Sequence, residues 1–529
     1  MADKSSLARD VLKLGTGTAS SQLIGVAAAP IIARLFSSEA FGGLALLAAV
    51  SGTIALVACL RYELAILLPE KDEDAAYLVW LSLVFVIAST AISALLIWVS
   101  GDAIWRLLHA TTVRSYAWLI PVNVFFAGIS ALLTAWNTRQ RQFSRLMLLE
   151  IILRIAITGS QVIIGFAGFV SAGALMATTV FGMAVTTSVL GFQTWHESSH
   201  ALLAGLSQAR MMGVLKRYAT FPKFSAMATL LNSFSGHLPP VLLSGFISVG
   251  TAGQFSFSNR LLRIPSKLIG SNFGQAFFPR AAEARLTGAL GNSVEMAITY
   301  LLKMSIFPCL ILAFIGKDLF LVAFGAKWLE AGIFTQILSP WLFAWFVASP
   351  LTIIFVVLEE QALELRFQIA NVFIRGGSIL IGGLFGSAQL AVLLFAISGM
   401  CLYGTYCAMV IKKSGASAAK IFKPALSSVA IFLPTGLVIV WIRHLTNSPL
   451  PALGASTVLL LAYFSHLFRA DPAAREAVFS WIANFRAPTT KIAVTPGGRN
   501  VSGMPPVQVD KVLASAKPSS TISSPYSRE

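Results

Sequence analysis

AYLVWLSLVFVIASTAISALLIWVS, residues 76–100, is a run of 25 residues without a charged side chain. A helix needs roughly 20 mostly apolar residues to cross the hydrocarbon core of a bilayer. In lipid, every backbone N–H and C=O group must be paired internally, which leaves only helices and closed barrels as spanning structures. The run is too long and too continuously apolar for a barrel strand of about 10 residues. It therefore predicts a membrane-spanning α-helix.

Comparable apolar runs recur along most of the chain. Of its 529 residues, 56% are apolar and 12% are charged, about half the charged fraction of a soluble domain. Two long runs, 214–245 and 331–358, contain prolines, so we expect them to be kinked, tilted or partly interfacial. The sequence predicts an all-α polytopic membrane protein with about 14 transmembrane helices. The candidate spans are 12–34, 43–68, 76–100, 115–137, 147–168, 171–193, 214–245, 250–278, 294–316, 331–358, 364–386, 388–411, 422–442 and 450–468.

The two ends of the chain differ from its middle. Cations precede the run 12–34 as in a signal peptide, but Pro30 would follow the cleavage point, so we expect an uncleaved first helix. Residues 470–529 are rich in Pro, Ser, Gly and Thr, most strongly from 487 onward. Such a segment buries too little apolar surface to order itself. We expect it to be a cytoplasmic, largely disordered tail.

A weak internal repeat suggests how the helices are grouped. The segments 39–71 and 250–282 each carry small residues and Gly at a helix start, and each contains Pro about 26 residues later. Their offset corresponds to six spans, which fits a transporter built from two parallel halves. The resulting assignment is an N-terminal six-helix bundle (1–193), a connecting loop (194–213), a C-terminal six-helix bundle (214–411), two additional helices (412–469) and the tail (470–529).

The distribution of cations between loops predicts the orientation. With the N-terminus in the cytoplasm, seventeen Lys and Arg outside the tail lie on the cytoplasmic side and six on the other. Cytoplasmic loops of membrane proteins carry such an excess. The bias predicts cytoplasmic N- and C-termini and an even number of spans. The formal charge of +17 would suggest nucleic acid for a soluble chain, but in a membrane protein we expect no nucleic-acid partner.

Eight cations remain inside the predicted spans, with few acids to match them. Glu63 is clearly inside a span, Glu150 is near an end and Glu295 is at a helix start. A cation at the bilayer centre costs about 2.5–3.5 kcal/mol or more, so these groups must pair, snorkel or face a hydrated cavity. A cationic cavity selects an anion, and Arg binds phosphate oxygens in a bidentate manner. The candidate substrate-binding residues are Arg61, Arg154, Lys223, Arg260, Arg263, Lys267, Lys303 and Arg375.

The segment 258–270 carries three of these cations on one face. At 100° per residue, Arg260, Arg263 and Lys267 fall within an arc of about 60°, opposite an apolar face. One alternative is an amphipathic helix in the headgroup layer, and another is snorkelling from a helix end. The polar face extends over more than two turns, which favours a helix that lines a hydrated cavity.

Arg61 and Glu63 form a separate question. On a continuous helix, the two side chains point about 200° apart, so we do not expect them to pair with each other. A structural Arg–Glu contact across helices is the alternative. If an ion gradient drives transport, Glu63 is a candidate for the coupling residue.

Catalytic and metal motifs are weak in this sequence. HESSH, residues 196–200, matches H-E-x-x-H. Leu203 and Leu206 stand where the metzincin extension of that motif needs Gly and His, so we expect a polar inter-helix loop and no metal site. The sequence contains no G-x-x-x-x-G-K-[ST] motif, and no Ser/His/Asp set stands out. We expect no cofactor and no enzymatic activity.

Four stretches together resemble a known family: 15–46, 59–75, 251–284 and 338–351. The chain resembles the polysaccharide-transporter branch of the multidrug/oligosaccharidyl-lipid/polysaccharide exporter superfamily, which includes O-antigen and exopolysaccharide flippases. The resemblance covers about residues 1–470 and implies two six-helix bundles, with two further helices, around a central cavity. Recurring motif positions of the family match Arg61, Arg260, Arg263 and Lys267.

The resemblance also implies a substrate and a location. Such flippases move an undecaprenyl-pyrophosphate-linked oligosaccharide from the cytoplasmic to the periplasmic leaflet of the bacterial inner membrane, for surface polysaccharide biosynthesis. Membrane lipids are expected partners, and polysaccharide assembly proteins are candidate ones. A drug or cation exporter of the same superfamily is an alternative, although it would need an acidic cavity. A membrane-embedded polysaccharide polymerase or ligase and a non-catalytic scaffold are further alternatives.

Overall fold

A computed structural model describes residues 4–203, 208–358, 360–446 and 448–470, all within one compact unit. Every regular element in this part of the chain is helical. The predicted all-α class is therefore confirmed. The predicted tail, 470–529, lies almost wholly outside the described residues.

Fourteen helices of 18 or more residues make up the described part of the chain. They are α1 Lys4–Leu35, α2 Ser38–Ala55, α3 Asp72–Ser100, α4 Leu119–Arg139, α5 Phe143–Phe166, α6 Ala172–Leu203, α7 Met227–Phe246, α8 Val249–Leu286, α9 Leu290–Phe324, α10 Leu329–Ala348, α11 Gln361–Leu384, α12 Ala388–Ser414, α13 Ala418–Thr446 and α14 Pro449–Ala470. Short helices at 62–65, 103–107, 111–114, 208–217, 221–226, 326–328, 349–352 and 353–357 complete the element order.

Each predicted span overlaps one of these long helices. Among the described residues, eleven helical segments are long and apolar enough to cross a membrane. The helices α7, α8 and α13, whose side chains are described only in part, are not among the eleven. The chain is thus a multi-pass membrane protein, and the number of about 14 spans stays a prediction.

Two predicted boundaries are wrong. The span 43–68 is not one helix, because α2 ends at Ala55 and residues 56–61 form turns. Within those turns Leu60 and Arg61 have φ angles of 48° and 65°, which an α-helix does not allow. The connection 194–213 is not simply a loop, because α6 continues to Leu203 and a helix covers 208–217. Its role as the joint between two bundles stays a prediction.

The two proline-containing runs leave α-geometry at Pro222 and Pro350, whereas Pro239, Pro240 and Pro340 lie inside α7 and α10. Pro222 lies in a π-helical turn, Phe221–Ala226, directly before α7. Pro350 lies in a 3-10 turn, Ser349–Thr352, directly after α10. Proline removes one backbone donor and clashes with the preceding turn, which explains why regular helix does not continue through these positions.

The two halves of the predicted repeat pack against each other through glycine. Ser37 and Ser248 each cap a helix, α2 and α8, by accepting a hydrogen bond from the backbone N–H three residues on. Just inside these caps the two helices meet backbone to backbone. A Cβ atom on Gly42 would lie 1.8 Å from the Val249 carbonyl oxygen, and one on Gly253 would lie 1.9 Å from that of Ser38. Only glycine permits this close approach.

Aromatic side chains surround this glycine contact. The Trp328 ring lies 5.1 Å from that of Phe41 and 4.3 Å from that of Phe257. Its indole N–H donates to the Ala33 carbonyl at 2.7 Å. These residues belong to an apolar cluster that joins α1, α2 and α6 to α8, α9 and α10. The cluster therefore ties N-terminal helices to C-terminal helices at one end of the protein.

The glycine contact should tolerate no side chain. We expect Gly253→Ala to lower the apparent melting temperature by several degrees, since overpacking a well-packed site costs about 1–3 kcal/mol. Thermal unfolding of the detergent-purified protein measures this. Gly404→Ala is the matched control, because a Cβ on Gly404 of α12 meets nothing within 4 Å. Equal melting temperatures for the two variants would contradict the close approach.

Candidate functional site

The helix α8 presents a polar face toward other helices of the protein. Ser256, Asn259, Arg263 and Ser266 follow one another at helical spacing, and each has a buried polar atom with no hydrogen-bond partner in the described structure. Arg260 lies on the same side and is exposed. The side chain of Lys267 lies outside the described residues. Of the predicted stripe, Arg260 and Arg263 thus lie on this face, and the placement of Lys267 on it stays a prediction.

Two of the predicted cations lie against an aromatic wall in the C-terminal half. The guanidinium carbon of Arg263 lies 4.9 Å from the ring centroid of Trp345. That of Arg375 lies 4.1 Å from the ring centroid of Phe395 and 5.0 Å from that of Trp341. A cation over an aromatic face gains about 0.5–2 kcal/mol. The wall therefore holds both cations in place without neutralising either of them.

A third and a fourth cation come close to each other from different parts of the chain. The side chain of Arg154, on α5, passes beside Gly25 of α1. A Cβ atom added to Gly25 would lie 3.7 Å from the Arg154 Nε atom. Arg154 and Arg260 are near enough for their positive charges to repel. Because α1 packs on both α5 and α8, Arg260 faces the space between these helices. Together, Arg154, Arg260, Arg263 and Arg375 form what we call the arginine cluster.

The arginine cluster is not matched by acids. In the described part of the chain, none of its four members forms an ion pair with a carboxylate. Other cations do find acids: Arg139 binds Asp72 at 2.8 Å, and Arg443 binds Asp318 at 3.0 Å. The protein therefore pairs cations elsewhere and leaves the cluster positively charged.

Glu150 is the acid nearest to the cluster in sequence, one turn before Arg154. Its two carboxylate oxygens accept hydrogen bonds from Thr18 at 3.1 Å and Ser21 at 3.2 Å. These hydroxyls belong to α1, so Glu150 serves the packing of α1 on α5. It also attracts the Arg154 guanidinium electrostatically, although the two form no ion pair in the described structure.

Arg61 and Glu63 pair with each other, so the expectation that they do not is wrong. Their side chains lie 3.2 Å apart. The prediction assumed a continuous helix. The left-handed conformation of Leu60 and Arg61 interrupts the helix and changes the direction in which the Arg61 side chain points. Arg61 also donates to the Ser225 hydroxyl at 3.5 Å. Arg61 is thus a paired cation beside the turn 221–226, and the role of Glu63 in ion coupling stays a prediction.

Lys223 and Lys303 occupy two further locations. Lys223 is exposed in the π-helical turn 221–226. Lys303 lies on α9, where its backbone carbonyl accepts a hydrogen bond from the Tyr463 hydroxyl of α14. Of the eight predicted cations, the structure thus brings Arg154 near Arg260 and Arg263 near Arg375, and it sets Arg61 beside the turn that carries Lys223. That all eight line one cavity stays a prediction.

The motif at 196–200 is helical, so the prediction of a loop is wrong there. His196 and His200 lie in the last turns of α6, which continues to Leu203. Glu197 forms an ion pair with Arg145 at 2.5 Å. Within the described residues, no group of three or more His, Cys, Asp or Glu side chains is placed to hold a metal ion.

Sequence reasoning missed the aromatic wall and one histidine. Trp341 and Trp345 are four residues apart on α10, so they share a helix face, a spacing that the sequence displays. Tyr403 lies close to both Arg263 and Arg375. His237 of α7 lies near Arg263. No local pattern in the sequence connects Tyr403 or His237 with α8.

Residues 31–332, more than half of the chain, match the sequence profile of a family described as "Polysaccharide biosynthesis protein". The chain belongs to this family. The resemblance seen in the sequence is thereby confirmed. By sequence alone, no curated protein matches the chain.

Solved structures share the fold of this family member. The lipid II flippase MurJ, in an inward closed conformation, superposes with a TM-score of 0.64 at 13% identity and covers 86% of this chain and 99% of its own. A multidrug resistance MATE family transporter of the MOP superfamily, facing inward, gives 0.60 at 14% identity, with coverages of 75% and 94%. A MOP superfamily transporter from Pyrococcus furiosus gives 0.50 at 12% identity, with coverages of 78% and 95%. The chain therefore shares the fold of these proteins.

The arginine cluster, which lacks carboxylate partners, should lower the stability of the folded protein. Arg375 is 6% exposed and lies beside other cations, so its charge is poorly solvated. We expect Arg375→Met to keep or raise the apparent melting temperature of the purified protein, because stability is often sacrificed at functional sites. The matched control is Arg139→Met, which removes a side chain that binds Asp72 and the Ile66 carbonyl and should lower it. A large loss of stability in Arg375→Met alone would contradict this view.

Proposed function

We propose that this protein is a flippase for a lipid-linked oligosaccharide. Its substrate is an undecaprenyl-pyrophosphate-linked glycan, moved from the cytoplasmic to the periplasmic leaflet for the synthesis of a surface polysaccharide such as O-antigen or exopolysaccharide. The observation that carries the proposal is the arginine cluster, in which Arg154 lies near Arg260 and Arg263 lies near Arg375. The two pairs are joined by α8, and none of the four forms an ion pair with a carboxylate in the described structure. Membership of a polysaccharide biosynthesis family supports it.

The cluster suits a pyrophosphate group. A pyrophosphate diester carries two negative charges, and guanidinium groups bind its oxygens through paired, charge-assisted hydrogen bonds. Arg260 is exposed and Arg263 is half-buried, so both are accessible to an incoming ligand. Arg375 is held by Phe395 and Trp341, so its guanidinium is already oriented. A preorganised cationic site loses little entropy when the anion binds.

Alternating access would expose this site to each side of the membrane in turn. In such transporters the two halves rock around a fixed central site. The contact between α2 and α8, with Trp328 bonded to Ala33, holds one end together. We propose that this end opens when the substrate is released, while the polyprenyl chain stays in the lipid between the halves.

The alternatives fit the same residues less well. A drug or cation exporter of the superfamily would need acids to bind its substrate, and the cluster is cationic. A polysaccharide polymerase or ligase would need a large periplasmic segment. With the N-terminus in the cytoplasm, the longest connection on the periplasmic side among the described residues is 101–118, between α3 and α4. We propose transport without covalent chemistry.

The proposal includes the location and the orientation. We place the protein in the bacterial inner membrane with both termini in the cytoplasm, as the bias of seventeen cytoplasmic cations to six indicates. The lipid carrier and membrane lipids are its immediate partners. Polysaccharide assembly proteins are candidate partners on the periplasmic side.

Neutralising the cluster should strongly impair transport. We expect Arg263→Gln and Arg375→Gln to reduce surface-polysaccharide complementation about 10- to 100-fold, since losing a charge-assisted hydrogen bond costs about 1.5–3 kcal/mol. The measurement is polysaccharide recovered from a flippase-deficient strain, normalised to the amount of the protein in the membrane.

The matched control uses the same helix as Arg375. Arg366 lies two and a half turns earlier on α11 and is exposed, so Arg366→Gln should complement like the wild type. Full complementation by Arg263→Gln and Arg375→Gln at normal membrane levels would refute the proposed site. Failure of the wild type to restore polysaccharide from any lipid-linked glycan would refute the function itself.

A further inference from the structure

His237 lies where α7 packs against α2. Its Nδ1 atom is 3.3 Å from the Thr53 hydroxyl of α2 and 3.3 Å from the Ser233 hydroxyl of its own helix. On α2, Gly52 leaves room for the ring, since an added Cβ would lie 3.6 Å from His237 Cε1. The imidazole therefore fits into the contact between a helix of the N-terminal half and one of the C-terminal half.

This environment can accept either protonation state of the ring. Thr53 donates its hydroxyl hydrogen to the Ala49 carbonyl at 2.7 Å, so toward His237 it acts as an acceptor. Ser233 can donate or accept, because a hydroxyl rotates to suit its partner. A neutral ring accepts from Ser233 through Nδ1, and a protonated ring donates to Thr53 through the same atom. Neither state leaves Nδ1 without a partner.

The charged groups around His237 are cations. On α8, Arg263 interacts electrostatically with the ring, and Arg260 lies about one turn before Arg263. On α11, Arg375 precedes Gly376, the residue that packs on Leu238. The turn 221–226 carries Lys223. The single charged residue of α2 is Glu39, about four turns from Thr53.

We infer that His237 is a proton-binding member of the anion site, so that a proton binds together with the anion. This inference rests on the proposed function. Without an anion, the positive charge of Arg263 opposes a positive charge on His237. A bound pyrophosphate supplies the counter-charge that the site lacks and makes the protonated ring favourable. Because linkage is reciprocal, protonation of His237 must strengthen anion binding by the same factor.

The direction of the pH dependence follows from this linkage. The anion-bound protein holds the proton more tightly than the free protein does, so anion affinity rises as the pH falls. Histidine is the residue that changes charge between pH 5 and 8. The effect should therefore fall in that range, and the arginines, which stay charged, contribute nothing to it.

The test measures binding of farnesyl pyrophosphate to the full-length protein in detergent between pH 8 and pH 5.5. The probe itself titrates in this range, but its contribution is the same for every variant. We expect the affinity of the wild type to rise about tenfold more than that of His237→Gln, as one added charge near the ligand should produce. The control His200→Gln, at an exposed position of α6, should follow the wild type.

A second measurement needs no variant, in case His237→Gln does not fold. Calorimetry of the wild type in buffers of different ionisation enthalpy gives the protons taken up per anion bound. Uptake beyond that of the probe supports the inference, whereas its absence overturns it. Equal pH profiles for wild type and His237→Gln overturn it as well and leave the proposed function standing. No binding at any pH overturns the proposed function together with the inference.

Discussion

The close contact of α2 with α8 fixes the relation between the N-terminal and C-terminal helices. Gly42 and Gly253 allow the two backbones to touch just inside the caps at Ser37 and Ser248. Apolar side chains alone would not bind helices together in lipid, because the lipid is as apolar as they are. Small residues allow close van der Waals packing instead, and Trp328 adds a hydrogen bond that lipid cannot replace. The position of α8, and with it the arginine cluster, depends on this contact.

The arginine cluster differs from other cations of the protein in how its positive charge is balanced. Acids from neighbouring helices form ion pairs with Arg139, Arg145 and Arg443. Such pairing lowers the free-energy cost of placing a cation between membrane helices. The cluster lacks such acids, although Glu150 lies only one turn from Arg154. The Glu150 carboxylate instead accepts hydrogen bonds from the Thr18 and Ser21 hydroxyls of α1. An unmatched group of cations held by aromatic rings is a costly arrangement for folding, and a ligand anion explains why it is kept.

The sequence predicts the helices well, because a span leaves a strong local signal. Each long helix from α1 to α14 coincides with an apolar run, and the stripe on α8 follows from helical periodicity alone. Periodicity fails where the backbone leaves the helix, as at Leu60 and Arg61, and the pairing of Arg61 with Glu63 was missed for that reason. Nor does it predict that Arg263 and Arg375 share the Trp341 ring, since that depends on which helix faces which.

The same limit explains why His237 was not found from the sequence. A lone histidine in an apolar run looks like a core residue, and its significance comes from Thr53, 184 residues earlier, and from Arg263. Both neighbours belong to helices that meet at the contact between the two halves. If the halves rock against each other, the distance from Thr53 to His237 must change with them. The same movement then changes both the proton site and the anion site. The His237 ring contacts α2, and Arg263 of the anion site belongs to α8.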